Sequence, residues 1–439
     1  MYISQCIIAK NEEENIGHCL NHLKSVADEQ IVVDTGSTDR TVEIAKELGA
    51  KVFQFDWIDD FSAARNFALS KAKGDWIIFI DCDEYFSEDS VNFIKDCIIK
   101  LGEKKNIDGL ACEIINIDSN NNIIATARNV STRIFKRKEN LKYKNTIHEI
   151  LYNTKGLKSS PVLAGASDFL KIFHTGYATE EVEKKNKNER NINLLEKELE
   201  KNLQDWKLNL YLSKQLNMEK RYEEALDYSL KSLQCIDKTT SYSYYSIIYS
   251  NIMLNMIELY KSYEEIKGIF AEAINHFSNF PDYYMYMGMV TLRENRIKES
   301  IDYLEKCIYY CENYKMNVEC FALGKIDEIY TNLLKAYLVD NNRLKVVELS
   351  VSLLKVDRYN FEVLAILINT LLTQEKEEDI ILFLNKVYDY KILKDKIYLL
   401  KASKFVKNKK LENAYKNLLN DEELKLVENS LAKVNYSEC

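Results

Sequence analysis

Two aspartates, Asp81 and Asp83, directly follow a run of large apolar residues, 76–80. The run predicts a strand that is buried on both faces. Since side chains two apart in an extended strand point the same way, we expect both carboxylates on one side and Cys82 on the other. Neighbouring carboxylates repel unless a cation lies between them, and oxygen ligands suit Mg²⁺ or Mn²⁺ with a bound diphosphate. The pair predicts a metal site, with two solvated acids at a turn as the alternative.

Apolar runs and helical segments alternate along the first part of the chain. The predicted strands are 2–9, 29–33, 51–55 and 76–80, and the predicted helices are 16–23, 41–48 and 61–73. This alternation predicts right-handed βαβ units and a mainly parallel, Rossmann-like α/β sheet. In such sheets ligands lie beyond the carboxyl ends of the strands. Because Lys10, Asp34 and Asp81 each follow a predicted strand, we expect them at one edge.

The loops after these strands lack a glycine-rich phosphate-binding pattern. The first strand leads into Lys-Asn-Glu-Glu-Glu at 10–14, and neither Gly-x-Gly-x-x-Gly nor Gly-x-x-x-x-Gly-Lys-Ser/Thr is present. A nucleotide would then be held by side chains and a metal ion, which favours a nucleotide-sugar site.

Four motifs in this order resemble those of family 2 glycosyltransferases with the GT-A fold. They are Ile-Ile-Ala-Lys-Asn-Glu-Glu at 7–13, Val-Val-Asp-Thr-Gly-Ser-Thr-Asp-Arg-Thr at 32–41, Asp-Phe-Ser-Ala-Ala-Arg-Asn at 60–66 and Phe-Ile-Asp-Cys-Asp-Glu at 79–84. Within the family, the chain is most similar to bacterial enzymes with tetratricopeptide-like helices behind the catalytic domain. Some of these glycosylate peptides or proteins, including the sublancin-type S-glycosyltransferases. The resemblance implies a GT-A domain at 1–178.

The resemblance also implies a site for a UDP-sugar. Lys10 and Glu12 match positions that line the base and ribose, Asp34 matches the aspartate that binds uracil, and Arg65 matches an arginine that reaches the base and diphosphate. Ala9, Asp81 and Cys82 complete the predicted substrate-binding set. Asp34 can accept the imide N–H of uracil, and Arg65 offers a planar fork to phosphate oxygens. A helix N-cap at Asp34 and a surface role for Arg65 are the structural alternatives.

Metal and catalytic roles follow from the same resemblance. Asp81, Asp83 and His174 are the implied ligands of Mn²⁺ or Mg²⁺, with Asp83 as the direct ligand. Family members usually invert the sugar carbon, which requires a base on the acceptor side. Glu149 is the predicted base, and His148 either positions it or acts instead. Glu84 is a rival base, and Arg133 either binds the diphosphate or forms a salt bridge.

The second half of the chain loses its strand signals. We expect a connecting helix at 179–204 and tetratricopeptide-like helical repeats at 205–439, with Pro281 at the start of a helix. Arg190 in the connecting helix either reaches the diphosphate or is solvated. His18 and His22 have a spacing that zinc can use, but no third ligand supports such a site, so we interpret them as ordinary helix residues. The repeats would hold an acceptor polypeptide or form a homodimer.

Composition agrees with two folding units and limits the partners. The chain has 439 residues and a net charge of −8, which gives no reason to expect nucleic-acid binding. No membrane span or signal peptide is apparent, and the ten cysteines lack Cys-x-x-Cys spacing, so we predict a cytoplasmic protein with reduced thiols.

The sequence thus predicts a metal-dependent inverting transferase that moves a hexose or N-acetylhexosamine from a UDP-sugar to a peptide or protein. The acceptor atom would be a Ser/Thr hydroxyl or a Cys thiol, and a flagellin or a bacteriocin-like peptide would suit it. The alternatives are a cell-surface glycan or lipid-linked acceptor, or an inactive transferase-like scaffold.

Overall fold

The computed structural model describes residues 1–102, 104, 106–118, 123, 129–155, 160–175, 187–237, 242–315, 318–420 and 422–424. Its strands all lie in the first part of the chain. They are β1 (Ile3–Ala9), β2 (Glu29–Asp34), β3 (Lys51–Gln54), β4 (Trp76–Phe79), β5 (Glu84–Phe86), β6 (Gly109–Asn116), β7 (Asn129–Lys136), β8 (Leu141–Lys144), β9 (Ile150–Asn153), β10 (Leu163–Gly165) and β11 (Lys171–His174).

The described strands form one large mixed sheet and one hairpin. The large sheet has the order β3-β2-β1-β4-β7-β6-β11-β5, with β10 beside β6, and β8 pairs with β9. The block β3-β2-β1-β4 is parallel throughout, as the sequence predicts. Beyond β4 the sheet becomes mixed, because β7 is antiparallel to both β4 and β6. In the parallel block Ala9 pairs with Asp34, which places the ends of β1 and β2 side by side.

Helices cover both faces of the sheet. They are α1 (Ile16–His22), α2 (Thr41–Glu47), α3 (Phe61–Lys71) and α4 (Glu88–Cys97), the last followed by a π-helical turn at Ile98–Gly102. One buried core joins α1, α2 and α4 to Ile3, Ile7 and Val32. The other joins α3 and the β8–β9 hairpin to residues of opposite parity, such as Cys6 and Val33. This alternation explains why β4 is apolar on both faces, although β1 and β2 also contain buried polar residues such as Ser4 and Glu29.

From residue 187 onward the described elements are helical. They are α5 (Lys187–Leu199), α6 (Trp206–Met218), α7 (Tyr222–Cys235), α8 (Tyr242–Glu258), α9 (Tyr263–His276), α10 (Pro281–Arg293), α11 (Ile297–Glu312), α12 (Phe321–Gly324), α13 (Ile326–Val339), α14 (Arg343–Val356), α15 (Phe361–Leu371), α16 (Glu377–Leu384), α17 (Leu393–Phe405) and α18 (Lys409–Lys416). The predicted all-helical second half is confirmed.

Local signals fix several of these helix limits. Pro281 is the first residue of α10, as predicted, because its missing N–H costs nothing there. Ser262 and Glu265 form a capping box at the start of α9. Gly288 in α10 faces Leu304 in α11, where an added Cβ would lie 2.5 Å from Leu304 Cδ2. The close approach of two successive helices is typical of helical repeats.

The chain divides into two compact units. One contains Met1–Tyr286 and Tyr310–Gly324, and the other contains Met287–Tyr309 and the chain from Lys325 onward. The predicted domain limits at 178 and 205 stay a prediction, and residues 176–186 lie outside the described part. No helix in the described ranges combines the length and the apolar character needed to cross a membrane.

Candidate functional site

The ends of β1 and β2 carry two loops that are tied together by hydrogen bonds. Asn11 Oδ1 accepts from the backbone N–H of Thr38 at 2.8 Å, and the backbone N–H of Asn11 donates to Ser37 Oγ at 2.9 Å. Asn11 itself has a left-handed backbone with φ 55°, which asparagine tolerates well. The loop that carries Lys10 and Glu12 is therefore held against the loop after Asp34. Lys10 is exposed at this edge, and Glu12 is half-buried.

Asp34 is only 1% exposed and bonds within its own loop. Its carboxylate accepts from the backbone N–H groups of Gly36 and Ser37, each at 3.2 Å. Arg40 occupies the N-cap position of α2, and Asp39 Oδ1, rather than Asp34, accepts from the backbone N–H of the first helical residue, Thr41, at 3.0 Å. The N-cap alternative for Asp34 is therefore wrong. Carboxylate oxygens hold several lone pairs, so Asp34 keeps acceptor capacity for a ligand.

The segment that contains Asp81 and Asp83 is a turn. Strand β4 ends at Phe79, and the backbone N–H of Glu84 donates to the Asp81 carbonyl at 3.1 Å. The prediction of two side chains projecting from one extended strand is wrong here, because strand alternation stops where the ladder stops. Cys82 and Ala9 are buried in the core, and burial raises the pKa of the Cys82 thiol. A substrate contact at either residue would use backbone atoms.

Two arginines hold the Asp81 carboxylate. Arg65 Nη2 donates to Asp81 Oδ1 at 2.9 Å, and Arg133 Nη2 donates to Oδ2 at 3.3 Å. Arg65 Nε also donates to Glu149 Oε1 at 2.5 Å, and Arg133 donates twice to Glu84, at 2.6 and 2.8 Å. Burial raises the pKa of Asp81, but the two guanidinium groups outweigh it and hold that pKa below its usual value. Asp81 is therefore an anion fixed by its neighbours.

One nitrogen atom of the Arg65 guanidinium, Nη1, makes no hydrogen bond in the described structure. Its side chain is 5–6% exposed and lies beside the rings of Phe79 and Tyr143, with Cζ 4.7 and 5.4 Å from their centroids. The Nη1 atom is buried and has no hydrogen-bond partner in the described structure. A buried donor without a partner costs about 1–3 kcal/mol, so this atom is suited to an anionic ligand. The surface alternative for Arg65 is wrong.

Asp83 and His174 lie together where β11 meets β5. His174 Nε2 is 3.6 Å from Asp83 Oδ2, and His174 Nδ1 is 2.9 Å from Asn116 Oδ1. A histidine oriented by an amide and beside a carboxylate fits a site for Mn²⁺, which accepts both nitrogen and oxygen ligands. No group of three or more His, Cys, Asp or Glu side chains in the described ranges is arranged to hold a metal ion. The two residues would thus supply part of a shell, with the remaining ligands from substrate and water.

Glu149 and His148 lie in the segment 145–149, which connects β8 to β9. Glu149 accepts the Arg65 hydrogen bond, whereas the ring of His148 stacks on Tyr211 of α6 with centroids 3.9 Å apart. Burial lowers the pKa of His148, and Glu149 opposes this only in part. The segment therefore places a carboxylate toward the charged cluster and a neutral imidazole toward the helices.

Sequence reasoning missed three contributions to this site. It gave no role to Tyr211 or Asn116. For Arg133 it left open whether the side chain binds the diphosphate or forms a salt bridge, and the ion pair with Glu84 favours the salt bridge. Nothing in the sequence distinguishes Tyr211 as a site residue, because helical tyrosines are common in this chain. Arg190 lies with its Cζ 5.1 Å from the Phe61 ring centroid at the start of α3, close to the segment 145–149.

Residues 4–160 match the family model described as Glycosyl transferase family 2. The amino-terminal part of this chain is a family 2 glycosyltransferase domain. The match covers the parallel block, the turn at 81–84 and the segment that carries His148 and Glu149. His174 lies beyond the matched residues.

Two curated proteins are similar to part of this chain. The SPbeta prophage-derived glycosyltransferase SunS of Bacillus subtilis is 31% identical over 52% of this chain and 52% of its own length. A TPR repeat-containing protein of Synechococcus elongatus is 35% identical over 34% of this chain and 35% of its own length. Among solved structures, the crystal structure of S. aureus TarS 1-349 aligns with 67% of this chain and 92% of its own chain, with 16% identity and a TM-score of 0.34. The chain spans about a third to a half of the length of the curated relatives it matches.

Proposed function

We propose that this protein is an inverting glycosyltransferase that moves a hexose or N-acetylhexosamine from a UDP-sugar to a peptide or protein. The observation that carries the proposal is the unpartnered Nη1 of buried Arg65, beside Asp81 and Glu149 at the carboxyl edge of the parallel strands. This edge is where open α/β sheets bind ligands. An anionic diphosphate would satisfy that donor.

Residues along the same edge of the sheet can form hydrogen bonds with the nucleotide of the UDP-sugar. Asp34 is buried with acceptor capacity to spare for uracil, and Lys10 is exposed on the neighbouring loop. Asp83 and His174 would bind a divalent ion, Mn²⁺ or Mg²⁺, which offsets the charge of the departing diphosphate when bound. The uridine assignment rests on the motif resemblance, with the geometry of Asp34 as support.

The transfer itself requires a base opposite the diphosphate. As the acceptor oxygen or sulfur bonds to the sugar carbon, the bond from that carbon to the diphosphate oxygen breaks, and the acceptor proton passes to Glu149. Arg65 Nε donates to Glu149 Oε1 at 2.5 Å and so fixes the orientation of the proposed base. The choice of a peptide or protein acceptor follows from the resemblance to enzymes that glycosylate peptides.

A donor assay tests this function. The protein is incubated with Mn²⁺ and a panel of UDP-sugars, and release of UDP to water is measured for wild type, Asp83→Ala and the surface control Asp96→Ala. We expect one UDP-sugar to be consumed preferentially, and at least about tenfold more slowly by Asp83→Ala than by the other two. Equal rates in all three proteins, or no turnover of any UDP-sugar, would favour the inactive scaffold.

A further inference from the structure

The segment 145–149 contains two residues with a left-handed backbone conformation. Asn145 has φ 77° and His148 has φ 51°, so two of its five residues are left-handed. Asparagine and histidine adopt this conformation more often than most residues with a side chain, but it still costs free energy. Such a conformation persists only where the surroundings fix it, and here the surroundings come from two sides.

Helix α3 holds the segment from the first side. The backbone N–H of Phe61 donates to the Thr146 carbonyl at 2.9 Å, and Ser62 Oγ donates to the Asn145 carbonyl at 2.6 Å. Both contacts involve the two residues before Ile147. The first half of the segment is thereby fixed to the same helix that carries Arg65.

Helices α5 and α6 hold the segment from the second side. Thr146 Oγ1 donates to Glu198 Oε2 of α5 at 3.0 Å. The side chain of Ile147 is 5% exposed and belongs to a buried cluster with Leu195 of α5 and Leu212 of α6. Helices that follow the family 2 domain in sequence thus form one wall of its candidate active site.

Tyr211 is the part of this wall that touches a candidate catalytic residue. Its ring stacks on His148 with a centroid distance of 3.9 Å and an interplanar angle of 23°. The Nε2 atom of His148 is buried without a hydrogen-bond partner in the described structure, so no polar contact of that atom fixes the ring. The stack on Tyr211 therefore holds one face of the ring of the residue next to Glu149.

We propose that Tyr211 is a positioning residue, which fixes His148 and through it the pairing of Glu149 with Arg65. The inference rests on the proposed function, because it assigns a helical residue to the geometry of that same site. Tyr211 touches no reacting atom; its ring keeps the left-handed turn at His148 in place. Removing the flat ring should release the segment even if the helices stay packed.

The first experiment measures the pairing itself. The Nε–H signal of Arg65 is followed by ¹⁵N NMR in the full chain and assigned by its change in Glu149→Gln. In Tyr211→Leu we expect this signal to shift and to exchange with solvent at least about tenfold faster, whereas Tyr211→Phe keeps it unchanged. The matched control is Tyr228→Leu, because Tyr228 packs against the same helical cluster. An unchanged signal in Tyr211→Leu, or an equal change in Tyr228→Leu, would overturn the proposal.

The second experiment measures UDP-sugar hydrolysis by the same variants. We expect kcat to fall about tenfold or more in Tyr211→Leu with KM within about twofold, and to recover in Tyr211→Phe. An altered Arg65 signal with an unaltered kcat would also overturn the proposal, since the pairing would not matter for the reaction. If wild type hydrolyses no UDP-sugar, the proposed function fails, and the Arg65 signal still decides whether Tyr211 fixes the pairing.

Discussion

Arg65 and Glu149 are 84 residues apart in the sequence and joined by a 2.5 Å hydrogen bond from Nε to Oε1. The same guanidinium donates to Asp81, so it connects the turn after β4 to the segment between β8 and β9. The candidate base is thus fixed by the same guanidinium that carries the unpartnered Nη1 atom. Charge-assisted bonds of this kind are short and directional, which fixes the two sides of the site relative to each other.

Replacement of Glu149 by glutamine tests its role as the base. The amide keeps the size of the side chain and an oxygen acceptor for Arg65 but cannot take a proton at neutral pH. We expect the transfer rate to fall by about 10²–10⁴-fold, the range for loss of a general base, with KM for the UDP-sugar little changed. Glu139→Gln, an exposed position in the β7–β8 turn, is the control. Full activity in Glu149→Gln would exclude this residue as the base.

Arg133 is expected to act on stability through Glu84. Glu84 is 3% exposed, and Arg133 donates to both of its oxygens, so Arg133→Met would leave a buried carboxylate without its partner. Removing one member of a buried ion pair typically costs about 3–5 kcal/mol. Urea denaturation should therefore show a large drop in the midpoint for Arg133→Met.

The double variant Arg133→Met/Glu84→Gln separates this explanation from lost packing. If the unpaired charge causes the loss, neutralising Glu84 should recover more than half of the lost stability. A double variant no more stable than Arg133→Met would show that the bulk of the guanidinium, rather than its charge, matters.

Metal binding is expected to depend on Asp83 and His174 together. Titration of Mn²⁺ in the presence of UDP, followed by the electron paramagnetic resonance signal of free Mn²⁺, should give an affinity at least about tenfold lower for Asp83→Asn and His174→Ala. Asn116→Ala should have a smaller effect in the same direction, because Asn116 orients the His174 ring from Nδ1. Asp96→Asn serves as the surface control. If Asp83→Asn and His174→Ala both bind Mn²⁺ as tightly as wild type does, the metal binds elsewhere.

The sequence predicted which residues lie together at this edge, but it did not predict their contacts. Motif order, strand ends and the family resemblance placed Arg65, Asp81 and Glu149 in one predicted site, and the structure brings these three side chains together, while their roles stay predictions. Their pairing was not found, because Arg65 meets Glu149 only after the β8–β9 hairpin packs on α3. Ion pairs between residues so distant in sequence depend on tertiary packing that no periodicity encodes.

The fold, too, was predictable only where local sequence features determine it. The parallel block β3-β2-β1-β4 and the helix that starts at Pro281 were predictable from apolar runs and start signals. The turn at Asp81 was not, because the apolar run 76–80 gives no sign that the strand ladder ends at Phe79. The antiparallel insertion of β7 beside β4 also depends on a long-range strand pairing.

Asp282 gives a pH-dependent test of the helical part of the first compact unit. Its side chain is fully buried in α10 and accepts from Ser250 Oγ, the backbone N–H of Ala322 and Cys320 Sγ, at 2.8, 2.9 and 3.2 Å. Burial raises the pKa of this carboxyl, and the hydrogen bonds reverse this only in part. The folded state therefore holds the proton more tightly than the unfolded state.

The raised pKa determines in which direction the stability contributed by Asp282 changes with pH. Because the folded pKa lies above the unfolded value of about 3.9, the stability contributed by Asp282 is greatest below that value and is lost as the pH rises through the folded pKa. Asp282→Asn cannot ionise, so its melting temperature should fall less than that of wild type between pH 4 and pH 7. We expect the two melting-temperature profiles to diverge progressively as the pH rises, because only wild type ionises a buried carboxyl at this position. The control is Asp227→Asn, which changes an exposed acid on α7 and should follow the wild-type profile. If the Asp282→Asn profile runs parallel to that of wild type, Asp282 ionises equally easily in the folded and unfolded states.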